Sequence, residues 1–108
     1  MKQTLKDKII FKNAAIGILG LGYTGSALLE SFYKKNFSVI GYDIDPKKIE
    51  GILKNYPSAN ADSNISILEK ADVLIIAVST GVNSENVPDI SSIKEAAEII
   101  SSLPKKER

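Results

Sequence analysis

The chain has 108 residues, enough for one small domain, with 44% hydrophobic and 25% charged residues, the ordinary balance of a globular protein. A formal net charge of +1 gives no electrostatic case for nucleic acid or a membrane surface, and no apolar run approaches the ~20 residues of a membrane span. Cysteine and histidine are both absent, which excludes disulfides, thiolate nucleophiles and cysteine metal sites and removes the commonest general base.

Residues 1–13, MKQTLKDKIIFKN, alternate charged with apolar residues and so are no signal peptide. They read as an N-terminal extension to a single unit over residues 14–108, and a cytoplasmic protein is the expectation. Residues 14–19, AAIGIL, form a short apolar run that ends at glycine and predicts a buried strand. From Tyr23 to Asn36 the apolar residues Ala27, Leu28, Phe32 and Tyr33 share one helical stripe. FSVIGYD, residues 37–43, has the β-branched and aromatic content of a second buried strand and ends in an acid. In DPKKIEGILKN, Asp45 is placed as an N-cap and Pro46 suits the first helical position, with Ile49, Ile52 and Leu53 facing the core.

Residues 55–64 are rich in turn formers and predict a loop with room for one very short strand. ISILEKA is a brief helix, DVLIIAV a continuously apolar buried strand, and STGVNSENVPD a polar loop. DISSIKEAAEIISSL predicts a last helix, with Asp89 as N-cap and Ile90, Ile93, Ala97 and Ile100 at helical spacing. Strands alternating with helices imply parallel pairing with right-handed crossovers. The expected fold class is α/β: a Rossmann-like, doubly wound parallel sheet, partial, about the first half of a dinucleotide-binding domain.

Gly20-x-Gly22-x-x-Gly25 lies between the first strand and its helix. In such a turn the first glycine permits the tight bend, the second lets a pyrophosphate approach the backbone, and the third allows the helix to pack on the sheet. Phosphates would sit at the helix N-terminus, where free N–H groups and the helix dipole favour an anion. Glycines alone also serve packing turns. Here Asp43 follows Gly25 at close to the ~20-residue interval of a ribose-binding acid, at the end of the next strand. A carboxylate there accepts from the ribose hydroxyls and repels a 2′-phosphate, so NAD is expected over NADP. Lys48 could reach the ribose edge and accommodate a phosphate, or be a solvated helix lysine. Asp45 reads as a cap rather than a second ribose ligand.

IGILGLGYTGSALLESFYKKNFSVIGYDIDPKKIEGI resembles the N-terminus of the UDP-sugar 6-dehydrogenases, which include UDP-glucose and UDP-N-acetylmannosamine or N-acetylglucosamine dehydrogenases. Their opening runs IGxIGLGYVGLPLA, then a strand ending in G-[FY]-D-[IV]-D. ADVLIIAVSTGVNSENVPDISSIKEAAEIISSL is similar to the same family's ADxxIIxVPTP…PDLSxxxxAxxxI, and LKDKIIFKNA is most similar to the N-acetylhexosamine branch. The resemblance implies that Gly20, Gly22 and Gly25 hold the phosphates, that the backbone of Tyr23 and Thr24 meets the pyrophosphate, and that Asp43 and Lys48 flank the adenosine ribose. It also implies that Val78, Ser79 and Thr80 lie near the nicotinamide side. In the parent family NAD takes hydrides from C6 of a UDP-hexose or UDP-N-acetylhexosamine in two steps, giving the uronic acid.

The departures are specific. GSALL stands for GLPLA and VSTG for VPTP, and the segment between Ile52 and Ala71 is shorter than in the family. The chain reaches Arg108 where the family continues into a fifth strand, and the family's catalytic cysteine and lysine lie beyond that point. The expectation is therefore a chain inactive by itself, with a UDP-sugar as partner only in a full-length parent. Two alternatives stay open. One is a stand-alone, non-catalytic nucleotide-binding or interaction module; the other is the N-terminal part of a prephenate or 6-phosphogluconate-type dehydrogenase, against which NVPDIS argues. An apolar sheet edge would need covering, so self-association is expected.

Overall fold

A computed structural model describes residues 4–78 and 91–103. The element order is α1 (Leu5–Ile10), β1 (Ala15–Leu19), α2 (Tyr23–Lys34), β2 (Ser38–Tyr42), α3 (Pro46–Asn55), β3 (Asn60–Asp62), a 3-10 helix (Ile65–Lys70), β4 (Val73–Ile76) and α4 (Ser91–Ser102). The four strands form one sheet in the order β3-β2-β1-β4, and every pairing is parallel. Register runs Ala15↔Ser38 to Leu19↔Tyr42 between β1 and β2, and Ile16↔Val73 to Leu19↔Ile76 between β1 and β4. The strand order reverses between β1 and β4, which is where an open α/β sheet leaves a crevice at its carboxyl end.

Side-chain alternation along β1 divides the core in two. Ile16 and Ile18 join Leu29 of α2, Val39 of β2 and Ile52 of α3 on one face. Leu19 joins Ile40, Leu68 of the 3-10 helix and Ala96 of α4 on the other. A strand of period two with both faces covered must be apolar at every position, as AIGIL is. Asp45 caps α3 by accepting from the Lys47 N–H at 3.0 Å, with Pro46 opening the helix as expected. The very short strand in the turn-rich stretch is β3, and ISILEKA forms the 3-10 helix.

Four details differ from the sequence reading. In α2 the buried positions are Gly25 and Leu29, while Ala27 is exposed. Gly25 packs against the Gly20 carbonyl, and that contact rotates the helix so that the residue one turn later faces the sheet. Leu28, Phe32 and Tyr33 flank this face, with Phe32 edge-on to Phe37 and Tyr33 to Tyr56. In α3, Ile52 is buried and Ile49 half-buried, but Leu53 is 40% exposed. In α4 it is Ala96 that is buried, with Ile100 beside it, and Ala97 is exposed; Asp89, Ile90 and the Ile93 side chain lie outside the described residues. Finally, β4 is an edge strand rather than a buried one, since the order 3-2-1-4 pairs it with β1 alone among the described residues.

The N-terminal extension also holds structure. Thr4 and Asp7 form a reciprocal capping box at the start of α1, a pattern present in the sequence as TLKD. Lys8 of that helix reaches Asp72 at 3.0 Å, and the other oxygen of this buried carboxylate accepts from the Ala15 N–H at 2.9 Å. The extension is thereby tied to the amino-terminal ends of β1 and β4. Among the described residues no helix is long and apolar enough to cross a membrane.

The rotation of α2 has a measurable consequence. Leu29→Ala should lower stability by about 2–5 kcal/mol, the cost of emptying a closed core position. Ala27→Ser should change it by less than about 0.5 kcal/mol. Urea denaturation of the two variants gives the comparison, and equal effects would place the wrong face of α2 on the sheet.

Candidate functional site

β1 ends at Leu19 and the chain must turn sharply to enter α2. Gly20 makes the bend with φ of +101°, in the region that side-chain-bearing residues rarely adopt, and a Cβ there would lie 2.9 Å from the Ala77 carbonyl oxygen. Its N–H still donates to the Tyr42 carbonyl at 2.8 Å, so the turn begins while the sheet is still paired. A Cβ on Gly25 would land on the Gly20 carbonyl oxygen. The fold itself therefore demands glycine at both positions.

Gly22 is different. Its φ is −72°, and a Cβ built on it would meet nothing within 4 Å. It is also the N-cap of α2, the position where Ser, Thr, Asp or Asn would close the first turn, and no side-chain cap is present. The N–H groups of that turn have no intrahelical partner by construction of an α-helix. The sequence thus leaves open both the space above Gly22 and the donors beneath it.

That space belongs to a cleft of about 570 Å³ at the carboxyl end of the sheet. Gly20, Gly22, Tyr23 and Thr24 form one wall, Asp43, Ile44 and Lys48 a second, and Leu19, Ile76, Ala77 and Val78 the floor and far side. Tyr23 is almost fully exposed at the mouth. Among the candidate residues Gly25 lies beneath the cleft rather than on it, and Ser79 and Thr80 fall outside the described residues.

Asp43 comes one residue after β2 and is only 8% exposed. Oδ2 accepts from the Leu21 N–H at 2.8 Å and Oδ1 from the Asp45 N–H at 2.9 Å. The Lys48 Nζ stands 3.7 Å from Oδ2 and is half exposed, so it offsets the carboxylate charge from the solvent side. Each carboxylate oxygen has two lone pairs, so each keeps acceptor capacity for a ligand hydroxyl. A donor set of helix-terminal N–H groups beside an acceptor-only carboxylate suits a ligand with an anion at one end and a vicinal diol at the other.

Several lining residues were not read from the sequence. Ile44 is 82% exposed, an apolar side chain left on the surface directly beside the acid, and Ile76 is 38% exposed at the end of β4. An apolar residue after a strand-end acid, where a turn favours polar types, is the signal that marks Ile44. Ile76 and Ala77 carried no such signal, because their exposure depends on β4 lying at the switch point.

Residues 15–105 match the family described as NADP oxidoreductase coenzyme F420-dependent. Among curated relatives, Protein CapL of Staphylococcus aureus is 34% identical over 101 residues, 82% of this chain and 24% of CapL. UDP-N-acetyl-D-glucosamine 6-dehydrogenase of Pseudomonas aeruginosa is 30% identical over 109 aligned positions, 88% of this chain and 26% of the enzyme. The chain therefore spans about a quarter of the length of these relatives. Among solved structures, GDP-mannose dehydrogenase of Pseudomonas aeruginosa superposes with a TM-score of 0.73 at 21% identity, over 79% of this chain and 24% of that one. That likeness is one of fold.

The three glycines should separate on mutation. Gly22→Ala is expected to cost no more than about 1 kcal/mol, the difference between glycine and alanine as an N-cap, since its Cβ meets open space. Gly25→Ala should destabilise by about 1–3 kcal/mol or prevent folding, because the turn has to move to admit a methyl group. Thermal denaturation followed by circular dichroism checks both, and a strongly destabilised Gly22→Ala would mean that the fold needs this glycine too.

Proposed function

The chain belongs to the family described as NADP oxidoreductase coenzyme F420-dependent, a Rossmann-like NAD(P) oxidoreductase domain, and from that premise we propose that its cleft holds NAD as the cofactor module of a nucleotide-sugar 6-dehydrogenase. The observation that carries the reading is Gly22. A packing turn would need Gly20 and Gly25; a ligand lying against the backbone gives a reason for Gly22 and for a helix start with no side-chain cap.

In this reading the pyrophosphate rests on the N–H groups at the start of α2, with Gly22 admitting it and Tyr23 and Thr24 supplying backbone donors. Asp43 accepts from the adenosine ribose hydroxyls. A 2′-phosphate would meet the same carboxylate, which two backbone N–H groups hold in place, so the residues favour NAD although the family description names NADP. Lys48 softens that repulsion and sets how far NADP is disfavoured. Ile44 offers an apolar surface for the adenine. Val78 leads from the cleft toward Ser79 and Thr80, assigned to the nicotinamide side on the family pattern.

The substrate class comes from the UDP-N-acetyl-D-glucosamine 6-dehydrogenases among the relatives, together with the NVPDIS block. In a protein containing this segment and the remainder seen in those relatives, NAD would accept hydride from C6 of a UDP-N-acetylhexosamine. The cofactor carries the redox chemistry, and the residues here bind and orient it. With no cysteine and no histidine, the 108 residues supply neither the family's thiol nucleophile nor an imidazole base, and turnover by this chain alone is not expected. The β4 edge, Val73–Ile76, is apolar and paired on one side among the described residues, which supports self-association when the chain is isolated.

Calorimetric titration with NADH and NADPH tests the cofactor reading. Saturable NADH binding is expected, at least tenfold tighter than NADPH, with Gly22→Ala weakening it by tenfold or more, about 1.4 kcal/mol, while remaining folded. No binding of NADH at millimolar concentration, or an unaffected Gly22→Ala variant, would leave the turn as architecture alone. Sedimentation equilibrium over a wide concentration range addresses the edge; a monomer at the highest concentration would reject self-association.

A further inference from the structure

Leu21, between the first two glycines of the turn, is held from three sides. Its side chain is buried in the core beside Leu29, its N–H donates to Asp43, and its carbonyl accepts from the Ser26 hydroxyl at 2.8 Å. The third contact is unusual for a helical serine. Ser31, Ser101 and Ser102 bond carbonyls three or four residues back within their own helices. Ser26 reaches five residues back, out of α2 and into the turn, while its own N–H closes the first helical bond to the Gly22 carbonyl at 2.9 Å.

The Leu21 carbonyl and the Gly22 N–H share one trans peptide plane and so point in opposite directions. A hydroxyl that draws the carbonyl toward the first turn of α2 therefore turns the Gly22 N–H away from it. Ser26 also stands where the resembled GLPLA pattern has leucine, which has no hydroxyl to make this bond.

We propose that Ser26 is a positioning residue for the pyrophosphate: through the Leu21–Gly22 peptide it holds the glycine turn in the orientation that a diphosphate requires, without touching the ligand itself. The inference rests on the dinucleotide reading above. Asp43 fixes the same turn from the ribose side, so the two side chains define the Leu21 peptides between them, and Ser26 acts on the phosphate half alone.

The test is titration of the whole chain with ADP and, separately, with adenosine, followed by amide chemical shifts, for wild type, Ser26→Ala and Ser26→Thr. Alanine is the better helix former, so the first variant should fold. Expected are an ADP affinity lowered roughly fivefold in Ser26→Ala, the scale of one hydrogen bond, with adenosine affinity unchanged. Ser26→Thr, which keeps the hydroxyl, should recover most of the ADP affinity. Equal losses for both ligands would make Ser26 a structural residue only, and no loss for either would remove its role; each result overturns the proposal. Failure of the wild-type chain to bind ADP would instead overturn the dinucleotide reading, and the proposal with it.

Discussion

The carboxylate of Asp43 is the interaction on which the cleft depends. It stands just beyond β2, takes the Leu21 N–H from the glycine turn with one oxygen, and takes the Asp45 N–H with the other. A buried charge is tolerated only when it is paired or hydrogen-bonded, and here the hydrogen-bond partners are the backbone of the two segments that a dinucleotide would have to bridge. The carboxylate thus sets the distance between the turn and the start of α3 before any ligand arrives, and in a preformed site little of the binding energy goes to ordering the loop.

Around this tie the glycines divide by cause. Gly20 and Gly25 answer to the protein's own geometry, one through a positive φ and the other through contact between helix and turn. At Gly22 a Cβ would meet nothing within 4 Å among the described residues. The pattern G-x-G-x-x-G by itself does not make that distinction, since all three letters are equal until the backbone is built. What turns a weak motif into an argument is that the glycine whose Cβ would meet open space lines the cleft.

At the opposite end of the sheet a second buried acid, Asp72, does related work, joining Lys8 of α1 to the start of β1. The two acids pin the two ends of the central strand region. β4 is the weaker partner, half-exposed and paired on one side among the described residues. Among the described residues the two halves of the core are unequal: the face carrying α2 and α3 is closed by large side chains, whereas the face under the 3-10 helix and α4 shows fewer buried residues, Leu68 foremost among them.

Much of this was legible before the structure. Local chemistry determined β1, β2, the α3 cap at Asp45 and Pro46, the glycine turn and the placement of Asp43, because turn geometry, capping and strand patterning act over a few residues. The capping box of α1 is equally local, written as TLKD inside a run of alternating charged and apolar residues. What tertiary structure alone decided was orientation and position. Leu29 rather than Ala27 faces the sheet because Gly25 seats against Gly20, a contact between turn and helix that periodicity cannot register. DVLIIAV reads as a buried strand, yet its place at the end of the order 3-2-1-4 exposes Ile76 and brings it into the cleft. Ser26 looks like any helical serine until its hydroxyl is seen to leave the helix for the Leu21 carbonyl. In each case a residue's type and spacing were set by the sequence, but its neighbour was set by where separate segments met.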